Sequence, residues 1–213
     1  MRFFLIFLFL FFYTVSFAQS DSLLQFIEVG IAPISYKGDL SHSYSNWGAV
    51  YHIGLKLNRK KRINGQVNIM WGSVSASNPF FTATKGNPNS FFHAKLLSFE
   101  YNVIANLVKK KNFSFYVSPG IGVLHFAPQN DQKEKFRNKP ETRASGEDYS
   151  PLSFMIPLKI GAAYLLKAGF GIGIEAGWLN PLTDYIDNIG MLGNSKKDNL
   201  LLYKLFILIP LKI

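Results

Sequence analysis

The chain has 213 residues, no cysteine and a formal charge of +10, and 15% of it is aromatic. That length suits one domain, and the missing cysteines exclude a disulfide-stapled scaffold. Past the N-terminal leader no apolar run approaches the roughly 20 residues of a spanning helix, so any membrane crossing has to be made by strands.

The chain opens MRFFLIFLFLFFYTVSFAQS, with Arg2 ahead of an apolar run from Phe3 to Tyr13. Ser16 and Ala18 then sit at the minus-three and minus-one positions of a cut. This predicts a secretory signal peptide over residues 1–18 and one barrel domain over 19–213. As an anchor the run is too short, and no Cys follows it to carry a lipid. Without Arg2, 22 basic residues stand against 13 acidic ones. In an exported chain that balance favours anionic lipid headgroups or an acidic partner over nucleic acid.

Alternation with a period of two marks eight strands. The first, Leu23 to Tyr36, sets Ile27, Val29 and Ile31 against Glu28, Gly30 and Ala32. The second, Trp47 to Asn58, sets Tyr51, Ile53 and Leu55 against His52, Gly54 and Lys56. After the turn Arg59-Lys60-Lys61-Arg62, the third runs Ile63 to Ser75, with Val67, Ile69 and Trp71 opposite Asn64, Gln66 and Asn68. A loop over 76–90 leads to the fourth, Phe91 to Val108, whose Leu97, Phe99, Tyr101 and Val103 oppose Ser98, Glu100 and Asn102. Lys109-Lys110-Lys111-Asn112 turns it into the fifth, Phe113 to Phe126. A long loop dense in mixed charge, 127–153, precedes the sixth, Phe154 to Leu166, which carries Lys159 on its mixed face. Lys167-Ala168-Gly169 leads to the seventh, Phe170 to Leu182, with Glu175 on its mixed face. A loop over 183–198 reaches the last strand, Asn199 to Ile213, where Leu201, Tyr203, Leu205, Ile207, Ile209, Leu211 and Ile213 form one apolar face and Lys204 lies on the other.

Eight strands, each long enough to cross a bilayer, with connections alternating long and short, predict an all-β fold. The specific expectation is an eight-stranded antiparallel up-and-down transmembrane β-barrel with both termini on the short-turn, periplasmic side. A soluble barrel would alternate the other way, apolar inside and polar outside. Trp47, Trp71, Trp178, Tyr101, Tyr164 and Tyr203 all fall on the apolar parity, as interfacial girdles require.

The inward parity collects Glu28, Lys56, Glu100, Lys159, Glu175 and Lys204. A barrel this small is filled by its own side chains, so three acids and three bases predict a paired charge network that plugs the lumen. An ion path or proton relay is the alternative. Catalysis has thin support. His42, flanked by Ser41 and Ser43, with His93 and His125, are the candidates for a rim site of a lipid-modifying enzyme, and no catalytic residue is assigned. Asp39, Asp184 and Asp187 gather at strand ends, where Ca²⁺ binding competes with simple turn formation. The turn is preferred, and no metal, cofactor or small-molecule substrate is expected. The basic turns Arg59, Lys60, Lys61, Arg62 and Lys109, Lys110, Lys111 keep one rim wet and offer cations to headgroups or an acidic partner.

Tyr36-Lys37-Gly38-Asp39-Leu40 resembles the Tyr-x-Gly-Asp-Leu signature of small outer-membrane barrels of Bacteroidota. Gly173-Ile174-Glu175-Ala176-Gly177 and Thr183-Asp184-Tyr185-Ile186-Asp187-Asn188 are similar to their penultimate strand and the loop after it. The leader end Ala18-Gln19 is similar too. Among these barrels is the PorG-like family, associated with the type IX secretion machinery and its periplasmic ring. The family pattern has Asp-Asp where this chain has Asp187-Asn188, and an Arg near Trp178. The fold that this resemblance implies is shared by OmpA- and OmpX-type barrels. The resemblance implies a non-enzymatic accessory or anchoring subunit of an envelope assembly, with outer-membrane lipids and secretion-complex subunits as partners. A stand-alone surface barrel that binds an external ligand through loop 127–153 is the alternative, and an outer-membrane lipid-modifying enzyme is the third.

Overall fold

Strands of alternating chemistry close into a barrel when the first finds the last. The computed structural model describes residues 24–58, 62–81, 88–194 and 196–211, so the leader and the turn residues Arg59, Lys60 and Lys61 lie outside the described part. Among the described residues eight strands form one closed antiparallel barrel in chain order. They are β1 (Leu24–Lys37), β2 (Trp47–Asn58), β3 (Ile63–Ser77), β4 (Phe91–Lys109), β5 (Phe113–Gln129), β6 (Leu152–Leu165), β7 (Gly171–Pro181) and β8 (Asn199–Leu211). The seam pairs β1 with β8 from Gln25↔Leu211 to Lys37↔Asn199. Strand lengths run from 11 residues in β7 to 19 in β4, enough at about 3.3 Å per residue to cross a hydrocarbon layer.

Several strand boundaries shift by one to three residues from the sequence expectation, with β3 reaching Ser77 and β6 starting at Leu152, and two shifts change how residues are read. Strand β5 runs on to Gln129 because its last residues pair with β4 as far as His93↔Gln129. Strand β4 keeps Lys109, which pairs with Ser114 after a register shift between Asn106 and Val108. Lys109 is therefore a strand residue, and the turn is 110–112. The bulge swaps parity, so Lys109 follows the inward row although odd residues earlier in β4 face out.

The outer wall is apolar and uncovered: Ile121 is 69% exposed, Phe154 71% and Ile174 59%. Soluble proteins do not leave a continuous wall of this kind in water. Aromatic pairs stud it, Trp47 against Tyr203 at 5.5 Å and Tyr51 against Trp71 at 6.1 Å between ring centres.

Inside, the filling is layered. At the short-turn end Phe26, Ala163, Phe206 and Leu208 form a small apolar plug. A charged belt follows. Above it a larger apolar cluster fills the long-loop half, with Ile34, Tyr36, Val50, Phe92, Leu124 and Phe126 among its buried members. The lysine–glutamate charges of the strands thus lie in the middle of the interior. Inward glycines seat the bulkiest of these groups. A Cβ on Gly161 would lie 2.6 Å from the Tyr116 ring, and one on Gly173 would lie 2.2 Å from Phe206.

Gly161→Ala is expected to destabilise the barrel by about 1–3 kcal/mol, the usual cost of overpacking. Urea unfolding in detergent micelles measures it, and an unchanged midpoint would contradict the seating of Tyr116.

Candidate functional site

The charged belt is a single connected chain of alternating sign. Lys204 lies between two carboxylates, with its Nζ 2.7 Å from Glu28 Oε1 and 2.7 Å from Glu175 Oε1. Glu175 also faces Lys159 at 3.9 Å, and Lys159 bonds Glu100. At the other end Lys56 stands 3.9 Å from Glu28 Oε2. The six residues predicted from the inward parity are therefore all buried and brought together. Glu175 and Lys204 are direct cross-strand partners. The others converge from β1, β2, β4 and β6 because the barrel interior is only one side chain deep in each direction.

Neutral groups complete the belt. Gln66 Nε2 donates to Glu28 Oε1 at 2.8 Å, Tyr116 Oη donates to Glu175 Oε2 at 3.0 Å, and Asn68 Nδ2 reaches Glu100 Oε1 at 3.3 Å. Lys56 Nζ rests 4.2 Å from the Tyr116 ring centre, a cation–π contact in a dry setting. His52 Nε2 lies 3.3 Å from Glu28 Oε1. Sequence reading placed His52 on the inward face but not in the charge set. The signal was its parity with Lys56. Burying charges is tolerable only when each has partners; every charge here faces an opposite one, although Lys56 Nζ, Glu28 Oε2 and Glu100 Oε2 make no hydrogen bond among the described residues.

A second polar cluster closes the long-loop mouth. Tyr36 Oη lies 2.6 Å from Asp187 Oδ2 and 2.8 Å from Asp198 Oδ1. The second oxygen of each carboxyl accepts a backbone N–H, from Ile189 for Asp187 and from Ile186 for Asp198, both at 2.8 Å. A phenol has one proton and can donate it to only one of the two. The other close contact needs a proton on the second carboxyl, so one of this buried pair is held neutral. Burial accordingly pushes Asp187 up to about 8 and raises Asp198 well above the ordinary carboxylate range. Asp39 and Asp184 lie nearby. Burial lifts both, Asp184 to about 7, with the neighbouring Asp39 and Glu147 adding to it and Lys197 opposing.

Asp39, Asp184 and Asp187 thus share one end of the barrel but serve the loops. Asp39 Oδ1 accepts from the Asn194 backbone at 2.8 Å and from its side chain. Among the described residues no three His, Cys, Asp or Glu side chains are arranged to hold a metal ion. Asp198 was not singled out in the sequence, where a residue just before a strand reads as loop.

The long loop also differs from its expected form. Its described core, 130–151, carries two short 3₁₀ turns, Phe136–Asn138 and Pro140–Thr142. Phe136, Arg143 and Tyr149 are buried over the apolar cluster. Tyr149 stacks between Phe126 and Tyr185 at 5.9 and 4.8 Å. Arg143 Nη1 donates to the Phe136 carbonyl at 3.1 Å. Charge dominates the loop's composition, but its apolar minority fixes it as a cover.

The three histidines do not converge. His93 pairs with Gln129 and His125 with Leu97, which puts them four residues apart along β4, roughly 13 Å. His42 sits in the β1–β2 loop, in a groove with Lys37 and Tyr44. Of the basic turns, Arg62, Lys110 and Lys111 are exposed at the short-turn rim.

The chain matches no protein-family model and no curated protein sequence. Solved structures do match its fold. Neisserial surface protein A aligns with a TM-score of 0.57 at 10% identity, over 88% of this chain and 97% of that one. Ail, the attachment invasion locus protein of Yersinia pestis, solved with the heparin analogue sucrose octasulfate, aligns with a TM-score of 0.53 at 7% identity, over 90% and 100%. The outer membrane enzyme PagL aligns with a TM-score of 0.40 at 17% identity, over 86% and 99%. At such identities the first two show the fold alone: a closed eight-stranded barrel of the small outer-membrane kind.

Two outcomes are expected. Lys204→Met leaves Glu28 and Glu175 facing each other without their shared cation and should cost about 3–5 kcal/mol in micellar unfolding. Adding Glu175→Gln to it should recover part of that loss. The mouth cluster carries a pH dependence of defined sign. Between the unfolded carboxylate value near 4 and the folded value of about 8 for Asp187, the folded state binds the extra proton, so stability falls as pH rises. Hydrogen-exchange protection over 183–198, taken relative to the intrinsic base-catalysed rate at each pH, should therefore be lower at alkaline than at mildly acidic pH. Asp198→Asn, whose amide can donate to Tyr36 Oη while its carbonyl accepts from Ile186, should flatten that dependence.

Proposed function

We propose that the protein is a non-enzymatic outer-membrane barrel with a filled lumen, serving as an accessory or anchoring subunit of a cell-envelope assembly such as the type IX secretion machinery. The observation that carries this reading is that the interior is occupied from end to end, by an apolar plug, a paired charge belt and a loop-covered apolar cluster. A barrel so filled has only its wall and rims left to act with. The apolar wall calls for lipid around it, and the alternation of long and short connections supports a reading with the long loops outside and both termini in the periplasm.

Support for the finer role comes from the two motifs that resemble the PorG-like barrels. They dock on each other, Tyr36 of the first bonding Asp187 of the second. The exposed cations Arg62, Lys110 and Lys111 offer the periplasmic rim to an acidic partner or to headgroups. Scattered histidines argue against the lipid-modifying alternative, since nucleophile, base and acid have to meet within hydrogen-bond reach. A surface-binding role for the long loop has one point in its favour. The buried anchors Phe136, Arg143 and Tyr149 give that loop a fixed outer face.

Affinity purification of the tagged protein after detergent extraction separates these readings. Envelope subunits should co-purify stoichiometrically, and Arg62→Ser with Lys110→Ser and Lys111→Ser should weaken their recovery. A barrel recovered alone, with function lost on deleting 130–151, would replace the accessory role by the surface-binding one. In planar bilayers the protein should show no steady conductance, and a stable open level would sink the filled-lumen reading.

A further inference from the structure

The β1–β2 and β7–β8 connections enclose a groove of about 650 Å³ lined by Lys37, His42, Tyr44, Asn194, Lys196 and Lys197, with Gly38 and Asn199. Four of these side chains are basic or can become so, and all four are exposed. Among the described residues none of the four is in an ion pair. Asp198 lies beside Gly38 but is engaged by Tyr36 and the Ile186 N–H; the other acids behind the groove are Asp39, toward His42, and Asp184, toward Lys197. Asp39 is buried and taken up by Asn194, and both carboxyls are shifted toward their neutral forms by burial. The groove therefore presents positive charge that the protein does not neutralise itself.

Its frame is rigid. Tyr44 Oη donates to Asn199 Oδ1 at 2.6 Å, and Lys37 Nζ stands 5.9 Å from the Tyr44 ring centre. Asn194 is fixed to Asp39, and its Oδ1 accepts from the Lys196 backbone at 2.7 Å. Its height is set by the seam. Lys37 pairs with Asn199 and Ser35 with both Leu201 and Trp47, so the groove lies two residues, roughly 7 Å, beyond the Trp47 level. Trp47 packs on Tyr203, and Trp178 pairs with Leu201, which completes an aromatic girdle of the sort found at headgroup depth.

We propose that this groove binds the phosphate groups of a phosphorylated glycolipid of the outer leaflet, with Lys37, Lys196 and Lys197 as the phosphate-holding cations and the second amide N–H of Asn194 as a neutral donor. Ammonium groups on flexible stems suit a phosphate that arrives at varied angles. A site just beyond the girdle is reached by a headgroup whose acyl chains lie along the apolar wall below. The inference rests on the proposed outer-membrane setting and on the long loops facing outward.

The test is native mass spectrometry of the folded barrel in detergent, titrated with diphosphorylated lipid A. Three proteins are compared: the parent, a groove variant (Lys37→Gln, Lys196→Gln, Lys197→Gln) and a control with the same charge change on the neighbouring loop (Lys133→Gln, Lys135→Gln, Arg137→Gln). Heat-modifiable gel mobility confirms that each is folded. The groove variant should bind at least about tenfold more weakly and the control less than about twofold. Enzymatically dephosphorylated lipid A should bind the parent no better than it binds the groove variant. Equal losses in groove and control variants, or no loss in either, would overturn the site. Displacement of lipid A by inorganic phosphate or by a soluble sulfated sugar at similar concentration would overturn the lipid as its source. A parent protein that takes up no detergent belt and stays monodisperse in water would instead overturn the membrane setting, a result distinct from loss of phosphate selectivity.

Discussion

The pairing of β1 with β8 is the constraint on which the rest depends. In hydrocarbon no water is present to satisfy a strand edge, so every backbone N–H and C=O has to find a partner within the sheet. Closing eight strands does this and at once fixes the interior volume. With the wall parity mostly committed to apolar groups, most of the polar side chains on these strands face a space about as wide as two side chains. The alternation of Lys56, Glu28, Lys204, Glu175, Lys159 and Glu100 follows from that confinement. Like charges placed side by side there would have no solvent to separate them.

The layering of the interior divides the work between two kinds of force. Apolar packing at each end excludes water, which strengthens the electrostatics of the belt between them. The belt in turn demands particular partners from six strands, which apolar packing alone does not. At the long-loop mouth the same logic is repeated on a smaller scale, with a phenol and two carboxyls beneath a cover of Phe136, Tyr149 and Tyr185. The loops are thereby part of the core and not appendages to it.

Much of this was legible in the sequence because a period of two is hard to imitate over fifteen residues. The apolar row in β8 and the polar row in β3 both fixed strand and facing, and Lys159 and Glu100 could be assigned to one space before any contact was known. The layering was harder to see. Phe92, Ala94 and Leu96 lie on the same parity as Glu100, and near a strand end two apolar parities look like a strand leaving its register. The loop cover was hidden for another reason. Phe136 and Tyr149 are lone apolar residues in a charged segment, and only the proximity of Phe126, from a strand end, reveals what they cover. Asp198 fell between categories, since its role comes from Tyr36, 162 residues earlier.

That separation has a consequence for assembly. Lys204 meets Glu28 across 176 positions of sequence, and Asp198 meets Tyr36 across nearly as many. Contacts so distant along the chain form late, after the entropy of closing the largest loop has been met. Until β8 arrives, Glu28 and Glu175 face one another with their common cation missing, and the phenol of Tyr36 lacks half its partners. The last strand therefore brings the cation closest to both acids, and a chain ending before it would leave Glu28 and Glu175 with only the longer contacts to Lys56 and Lys159, as well as two open edges. One strand thus completes the backbone pairing of the sheet and the charge pairing of its interior together.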